Sequence, residues 1–355
     1  MWRCLFVVAA VLAATSIGAA ADDRPSDIEL GKEIFSDSSL STPTGVSCST
    51  CHAPETGYTY QTSGLKALAV SGNRRVAPPL ARNAQSVAYT AALLQDTTEQ
   101  SFFWDGRARS LEEQAEGPLF SKHEMNAGSR EDFCARVMTR PYHRRILEAT
   151  GKAAIDCGRD ADMVAAAVIR ALAAFQRSPI VNRFSSRFDA YMRGESALTS
   201  IELQGLELFQ TKGQCTACHL LKPTQAPLFS DFQFHQVNLP PDERLGELWC
   251  REHGAELAYD AGRTIPTCAG AITGFFKTPT LRNVTKKPFN AFQRRYGHNG
   301  TVASVTDAVR AHTAENTRGC LIADCDRGRQ TTCQIVLDDD EIRAIVAFLA
   351  SLEDR

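Results

Sequence analysis

The stretch Cys48-Ser49-Thr50-Cys51-His52 recurs later in the chain as Cys215-Thr216-Ala217-Cys218-His219. Cys-x-x-Cys-His is the spacing in which two thiols attach to the vinyl groups of a haem while the adjacent imidazole binds the iron. A zinc site would need a second pair of cysteines or a spaced pair of histidines, and neither copy has one. The two copies therefore predict two covalently bound c-type haems.

The sequence before each motif is also repeated. Gly31-Lys32-Glu33-Ile34-Phe35 precedes the first motif and Gly205-Leu206-Glu207-Leu208-Phe209 precedes the second, each with the pattern of a short amphipathic helix that ends in a buried aromatic residue. Thr199 followed by Glu202 is a capping box that predicts the start of the second helix. Duplication of a cytochrome c unit is the simplest interpretation.

The chain has 355 residues and 43% hydrophobic content, which is enough for two domains with their own cores. We expect a mainly α fold of two cytochrome c-like haem domains with long loops, over residues 22–193 and 194–355. Periodicity predicts a core helix over 162–175 and a C-terminal helix over 338–352, and the polar stretch 183–197 is expected to be the linker.

Residues 1–21 have the pattern of an export signal. An apolar run over 5–12 is followed by Gly-Ala-Ala-Ala at 18–21. The run is too short to span a bilayer, and small residues are typical of a cleavage site. We expect cleavage near Ala20 or Ala21 and a periplasmic protein that is not embedded in the membrane; a retained N-terminal anchor is the alternative.

The formal net charge is −2, and haem propionates would make it more negative. Nucleic acid is therefore excluded as a partner, because phosphate binding requires a basic stripe that this chain lacks.

Of the 12 cysteines, four are assigned to haem and one to the leader. The remaining seven fit an oxidising compartment with up to three disulfides and one odd thiol. Proximity favours Cys134 with Cys157 and Cys250 with Cys268, although sequence alone does not fix the connectivity. The second pair would tie down the Pro- and Gly-rich stretch 219–279, where we expect long loops.

Several ordered motifs resemble the bacterial di-haem cytochrome c peroxidase and MauG family. They are Phe103-Trp104-Asp105-Gly106-Arg107-Ala108, Leu111-Glu112-Glu113-Gln114-Ala115, Gly117-Pro118, Glu124-Met125-Asn126, Pro279-Thr280-Leu281-Arg282-Asn283 and Tyr296-Gly297-His298-Asn299-Gly300. With the haem motifs, the resemblance covers nearly the whole mature chain. It implies a peroxide-binding haem on His52 and an electron-storing haem on His219.

The resemblance also implies roles for residues near the first haem. Glu124 matches the family's distal acid, which moves a proton between the peroxide oxygens. Gln114 and Pro118 match the distal-pocket pair, and Trp104 matches the aromatic residue between the haems. Without the motifs, Glu124 would be interpreted as a surface residue and Trp104 as a core residue.

Both haems depart from the common pattern for the sixth iron ligand. The histidine that caps the peroxidatic iron in many peroxidases is replaced by Leu68, which cannot bind iron, so an open five-coordinate first haem is implied, as in the MauG branch. The sixth ligand of the second haem falls at His312, which implies bis-His coordination with His219 and a lower potential than a Met ligand would give. The alternative is that His312 is an ordinary surface histidine, and His298 is expected to support a propionate.

The family often holds calcium between its domains. Val76 occupies the position of an Asn ligand, and Gln293-Arg294-Arg295 stands where Thr-Ala-Pro is common. Calcium is doubtful, because a side-chain oxygen is lost and two cations lie close by.

The resemblance therefore implies an oxidoreductase that reduces hydrogen peroxide with electrons from a small cytochrome c or cupredoxin. A MauG-like enzyme that oxidises residues on a partner protein is one alternative, and a non-catalytic di-haem electron carrier is another. Members of the family often dimerise, so a homodimer is one option.

Overall fold

The computed structural model describes residues 23–59, 82–90, 101–122, 124–222, 226–237, 239, 263–267, 270–287, 294–314, 320–324, 329–332 and 335–355. The predicted leader, Leu68, Val76 and the Cys250–Cys268 pairing lie outside these residues.

The first half of the chain is built around one long helix. Its helices are α1 (Pro25–Phe35), α2 (Cys48–Cys51), α3 (Leu111–Phe120), α4 (Arg130–Met138), α5 (His143–Thr150) and α6 (Cys157–Arg177). The helices α1, α3, α4 and α5 all pack against α6. The core helix predicted over 162–175 is confirmed, and it begins earlier because the Asp156 side chain accepts a hydrogen bond from the Gly158 amide.

The second half repeats the arrangement with fewer helices. They are α7 (Arg187–Met192), α8 (Ser200–Gln210), α9 (Val305–Arg310) and α10 (Asp339–Ala350). The helix α8 packs along α10 as α1 packs along α6. The predicted capping box of Thr199 and Glu202 is confirmed at the start of α8, and Asp338 forms another with Glu341 at the start of α10.

A glycine lies at each of these helix crossings. A Cβ atom on Gly31 would lie 1.9 Å from the carbonyl oxygen of Ala171, and one on Gly205 would lie 1.9 Å from that of Ala344. No side chain fits at such distances, so the close approach of the two backbones requires glycine. The repeat seen in the sequence is therefore also a repeat of packing.

Aromatic pairs follow the same repeat. The ring centroids of Phe35 and Phe175 lie 5.2 Å apart in the first half, and those of Phe209 and Phe348 lie 5.2 Å apart in the second. Each pair joins the crossing helices one turn beyond the glycine, where their side chains fill the core next to a haem motif.

Two sequence expectations need correction. The stretch 183–197 contains α7, which Ser186 caps and which buries Phe188 and Asp189, so it is more than a linker. The stretch 219–279, expected to be loops, contributes three strands to a sheet. The short strands in this stretch are stabilised by pairing with segments that are distant in sequence. The periodicity of the sequence does not reveal such pairing.

The sheet is antiparallel, with the strand order β2-β3-β1-β4-β5. Its strands are β1 (Phe234–Val237), β2 (Arg263–Thr267), β3 (Gly270–Lys277), β4 (Cys320–Asp324) and β5 (Arg329–Thr332). The first strand pairs with both β3 and β4. The sheet thereby connects the segments before and after α9.

The predicted disulfide between Cys134 and Cys157 is confirmed. Their Cα atoms lie 5.6 Å apart. The bond joins α4 to the first turn of α6. Cys134 is buried on α4, as are Phe133 and Val137.

Candidate haem sites and the cavity between them

The first haem motif forms a short capped helix. Ser47 and Thr50 make a capping box around α2, and the His52 amide donates to the Cys48 carbonyl oxygen at 2.9 Å. The His52 Nδ1 atom lies 3.2 Å from the carbonyl oxygen of Tyr58. A carbonyl can only accept, so Nδ1 carries the proton and Nε2 keeps its lone pair for iron.

The second motif positions its histidine in the same way. The Nδ1 atom of His219 lies 2.9 Å from the Phe229 carbonyl oxygen. Burial, with smaller contributions from the nearby His312 and His235, lowers the pKa of His219 to about 4, although the hydrogen bond to Phe229 opposes the shift. Burial also lowers the pKa of His52. Both imidazoles are therefore neutral near pH 7, as iron ligands must be.

The cysteines of the two motifs are available for attachment to haem. Cys48, Cys51, Cys215 and Cys218 are all half-buried and form no disulfide. Each motif thus presents two unpaired thiols and one neutral imidazole. This donor set fits a c-type haem.

His312 shares a cavity with His219. The cavity has a volume of about 240 Å³, and its walls are mostly apolar; they include Phe209, Leu281, Val309 and Leu349. The Nδ1 atom of His312 lies 2.8 Å from the Ala308 carbonyl oxygen, which leaves its Nε2 free. The structure therefore places His312, although its side chain is exposed, at the same cavity as His219, the pair that the resemblance implies for the second iron.

Glu124 lies beside the first motif. It follows α3 in a turn where its amide donates to the Ser121 carbonyl oxygen at 3.0 Å. Burial and, to a smaller extent, the Glu124 carboxylate raise the pKa of the Cys51 thiol to about 12. Burial also raises the pKa of Glu124 itself, while Arg107 opposes that shift. The carboxyl group therefore holds its proton more readily than an exposed glutamate.

Gln114 and Pro118 lie one helical turn apart on α3, so they occupy the same face of the helix. The Pro118 carbonyl oxygen accepts from the Met125 amide at 3.1 Å. The Met125 sulfur lies 4.0 Å from the Cys48 sulfur. These contacts hold the turn of Glu124 against the thiol that attaches the first haem.

Trp104 is buried between the two halves. Its indole Nε1 donates to the Asn83 carbonyl oxygen at 2.8 Å, and its own carbonyl oxygen accepts from the Lys277 amide at 2.8 Å. The ring also lies edge-on to His298, at 6.5 Å between centroids. Trp104 lines the second haem cavity, so it reaches from the first half to the edge of the second site.

Sequence analysis gave no role to His235. Its Nε2 atom lies 2.7 Å from the Asp231 carboxylate, and polar atoms of Cys218, Asp231 and His235 lie within 4.8 Å of one another. Three such groups can hold a metal ion, but a thioether bond to haem takes away the thiolate ligand of Cys218. We therefore assign the pair to the surroundings of the second haem. The four-residue spacing of Asp231 and His235 was the only signal in the sequence.

Two haem-attachment motifs, each beside its own glycine-mediated helix crossing, define a di-haem c-type cytochrome. A family model described as di-haem cytochrome c peroxidase matches residues 25–197. The methylamine utilization protein MauG of Paracoccus denitrificans is 31% identical, over 99% of this chain and 95% of its own length. The cytochrome c551 peroxidase of Nitrosomonas europaea is 27% identical, over 98% and 87%. The chain belongs to the di-haem cytochrome c peroxidase family, whose members are oxidoreductases.

Solved structures share the fold. The diheme peroxidase BthA from Burkholderia thailandensis has a TM-score of 0.69 at 24% identity, over 93% of this chain and 86% of that one. A MauG-like protein associated with microbial copper homeostasis has a TM-score of 0.63 at 22% identity, over 93% and 90%. The predicted mainly α fold is confirmed by these similarities, and the two covalent haems by membership of the family.

Proposed function

We propose that this protein reduces hydrogen peroxide beside Cys48 and Cys51, and that Glu124 transfers the proton in that reaction. The haems, when bound, supply the iron that accepts oxidising equivalents from peroxide and stores them. The observation that carries this proposal is an asymmetry between the sites. A half-buried carboxyl group lies at the first motif, whereas a second imidazole lies at the other.

The position of Glu124 suits proton transfer. Reduction of one peroxide to two waters consumes two electrons and two protons, and one proton must first move between the peroxide oxygens. A general acid–base group works best when its pKa lies near the working pH. Burial moves the pKa of Glu124 upward, in that direction, and Arg107 limits the shift.

The second site has the groups for a closed iron. His219 and His312 each direct Nδ1 to a backbone carbonyl oxygen and keep Nε2 free within one cavity. Ligands on both sides would keep peroxide away from that iron and favour electron storage. Trp104, hydrogen-bonded to Asn83 in one half and Lys277 in the other, is the proposed route for electrons between the sites.

A second candidate function is oxidation of residues on a partner protein. The 31% identity to a MauG protein over nearly its whole length favours it, as does Leu68 in place of a capping histidine. Peroxide turnover separates the two functions. Rapid oxidation of a reduced small cytochrome c by peroxide supports the peroxidase, whereas a spectral change that peroxide produces in the fully oxidised protein and that reduced cytochrome c does not reverse supports the MauG-like function.

We also propose a cellular location, an electron donor and an assembly for this protein. We infer export to the periplasm from residues 1–21, and the Cys134–Cys157 disulfide supports an oxidising compartment. Within the ranges that the structure describes, no helix is both long and apolar enough to cross a bilayer. A small cytochrome c or cupredoxin is the proposed electron donor, and a homodimer is the proposed assembly.

Peroxide turnover with a reduced cytochrome c tests the role of Glu124. Glu124→Gln is expected to lower kcat by roughly 10²- to 10⁴-fold, the usual contribution of a general acid–base group. Glu131→Gln is the matched control, because Glu131 is exposed at the start of α4. Equal turnover by the two variants would remove Glu124 from the reaction.

A further inference from the structure

A smaller cavity of about 110 Å³ lies between the two halves of the chain. Asn83 and Trp104 line it from the first half, and Lys277, Arg294 and Tyr296 line it from the second. Lys277 and Trp104 also line the second haem cavity, so the two cavities are neighbours.

Two of these residues are buried cations. Lys277 is 3% exposed and Arg294 is 8% exposed. The Lys277 ammonium donates to the Ser101 carbonyl oxygen at 2.7 Å, and the Arg294 guanidinium donates to the Asn283 carbonyl oxygen. Burial lowers the pKa of Lys277 to about 8 and that of Arg294 to about 10, which reflects the cost of keeping these charges.

The described residues leave both cations without a carboxylate of their own. Asp105 acts on the charge of Lys277, but it already forms ion pairs with Arg82 and Arg107. Glu353 acts on the charge of Arg294, but it already accepts a hydrogen bond from Thr285. Neither Lys277 nor Arg294 forms an ion pair within the part of the chain that the structure describes. Buried cations are normally paired with an anion, so this cavity has the charge to bind one.

The same cavity does not fit a calcium ion. The Asn83 amide nitrogen donates to the carbonyl oxygens of Arg295 and Gly297, at 3.0 and 3.2 Å. If the Asn83 amide were flipped, its oxygen would face these two carbonyl oxygens. The contacts therefore assign the amide nitrogen to this position, where it is the donor. Calcium needs six to eight oxygen ligands, whereas here carbonyl oxygens are already hydrogen-bonded and two cations lie beside them.

We propose that this cavity binds a carboxylate, held by Lys277 and Arg294. Two sources have that chemistry: a propionate of a bound haem, or a free carboxylate from solution. Trp104 shares the cavity, so the bound charge would lie beside the residue that connects the two sites.

The haem-loaded protein distinguishes the two sources. We would measure the reduction potentials of both haems in the wild type, Lys277→Gln and Arg294→Gln, with acetate as the free carboxylate. If the carboxylate is a propionate, each substitution shifts one potential to lower values, and acetate has no effect. If it is free, acetate shifts the wild-type potential and melting temperature with saturation, and Arg294→Gln abolishes both shifts.

Arg343→Gln is the control, since Arg343 is an exposed cation on α10. The proposal is overturned if Lys277→Gln and Arg294→Gln behave like this control and acetate does not bind. Saturable calcium binding by calorimetry would also overturn it. Where the glutamine variants fail to accumulate as haem proteins, Arg294→Lys and the acetate and calcium titrations of the wild type decide.

Discussion

Asp189 and Arg282 form an ion pair in which both side chains are completely buried. Two hydrogen bonds of 2.7 and 2.9 Å join the guanidinium to the carboxylate. Asp189 belongs to α7, and Arg282 follows β3. The guanidinium also lies 5.0 Å from the ring centroid of Tyr89 and 4.6 Å from that of Phe184. The pair therefore joins α7 to the segment after β3, and its guanidinium packs against Tyr89 of the first half.

Removing one partner of this pair should strongly destabilise the fold. Asp189→Leu leaves a buried guanidinium without a counter-charge, which costs about 3–5 kcal/mol. Adding Arg282→Met should recover much of that loss, because two apolar side chains can replace a buried pair. Urea unfolding of the haem-loaded variants measures both. A double variant as unstable as the single one would show that the charges themselves are needed.

The same pair should contribute to acid stability. Burial alone would raise the pKa of Asp189, but the hydrogen bonds from Arg282 and Ser186 outweigh it, so the pKa lies below the ordinary value of 3.8. A carboxyl group with a lowered folded-state pKa stabilises the fold above its unfolded pKa, and that stability is lost as pH falls through the folded pKa. Unfolding free energies of Asp189→Asn should therefore fall less steeply below about pH 4 than those of the wild type. Parallel curves would contradict the assignment.

A glycine at a helix crossing and a glycine at a helix start should differ in how replacement by alanine changes stability. Gly205→Ala places a Cβ 1.9 Å from the Ala344 carbonyl oxygen, so α8 and α10 must separate. We expect a loss of about 1–3 kcal/mol or more in unfolding free energy, with a lower haem content. Gly158→Ala near the start of α6 meets its first neighbour at 3.4 Å and should be neutral or stabilising. Similar melting temperatures for the two variants would contradict this packing.

His312 should determine the spin state of the second iron. His312→Ala should convert a low-spin signal to a high-spin one in the oxidised protein, because it removes one imidazole from the cavity of His219. His143→Ala is the control, since the Nδ1 atom of His143 contacts Arg140 within its own turn, far along the chain from both haem motifs. Electron paramagnetic resonance measures the spin states of both variants. An unchanged low-spin signal in His312→Ala would show that another residue is the sixth ligand of the second iron.

The features that the sequence predicted are those set by neighbours along the chain. The haem motifs, the capping box at Thr199, the helix start at Asp338 and the Ala-rich stripe of α6 each depend on residues a few positions apart. Such patterns can be recognised from neighbouring residues alone, and the structure contains each of these features.

The features that the sequence did not predict depend on residues that lie far apart along the chain. The strand β1 exists because Val237 lies opposite Cys320, and neither segment shows that partner in its own sequence. Likewise, nothing near Asp189 points to Arg282. Lys277 and Arg294 would be placed at the surface by default, and only the fold shows that both line one cavity.

The central claim is that one haem is open and the other closed. An electron paramagnetic resonance spectrum of the fully oxidised wild type tests it most directly. We expect one high-spin signal from a five-coordinate iron on His52 and one low-spin signal, of equal intensity, from an iron between His219 and His312. A spectrum with only low-spin iron would contradict the account, because neither site could then bind peroxide.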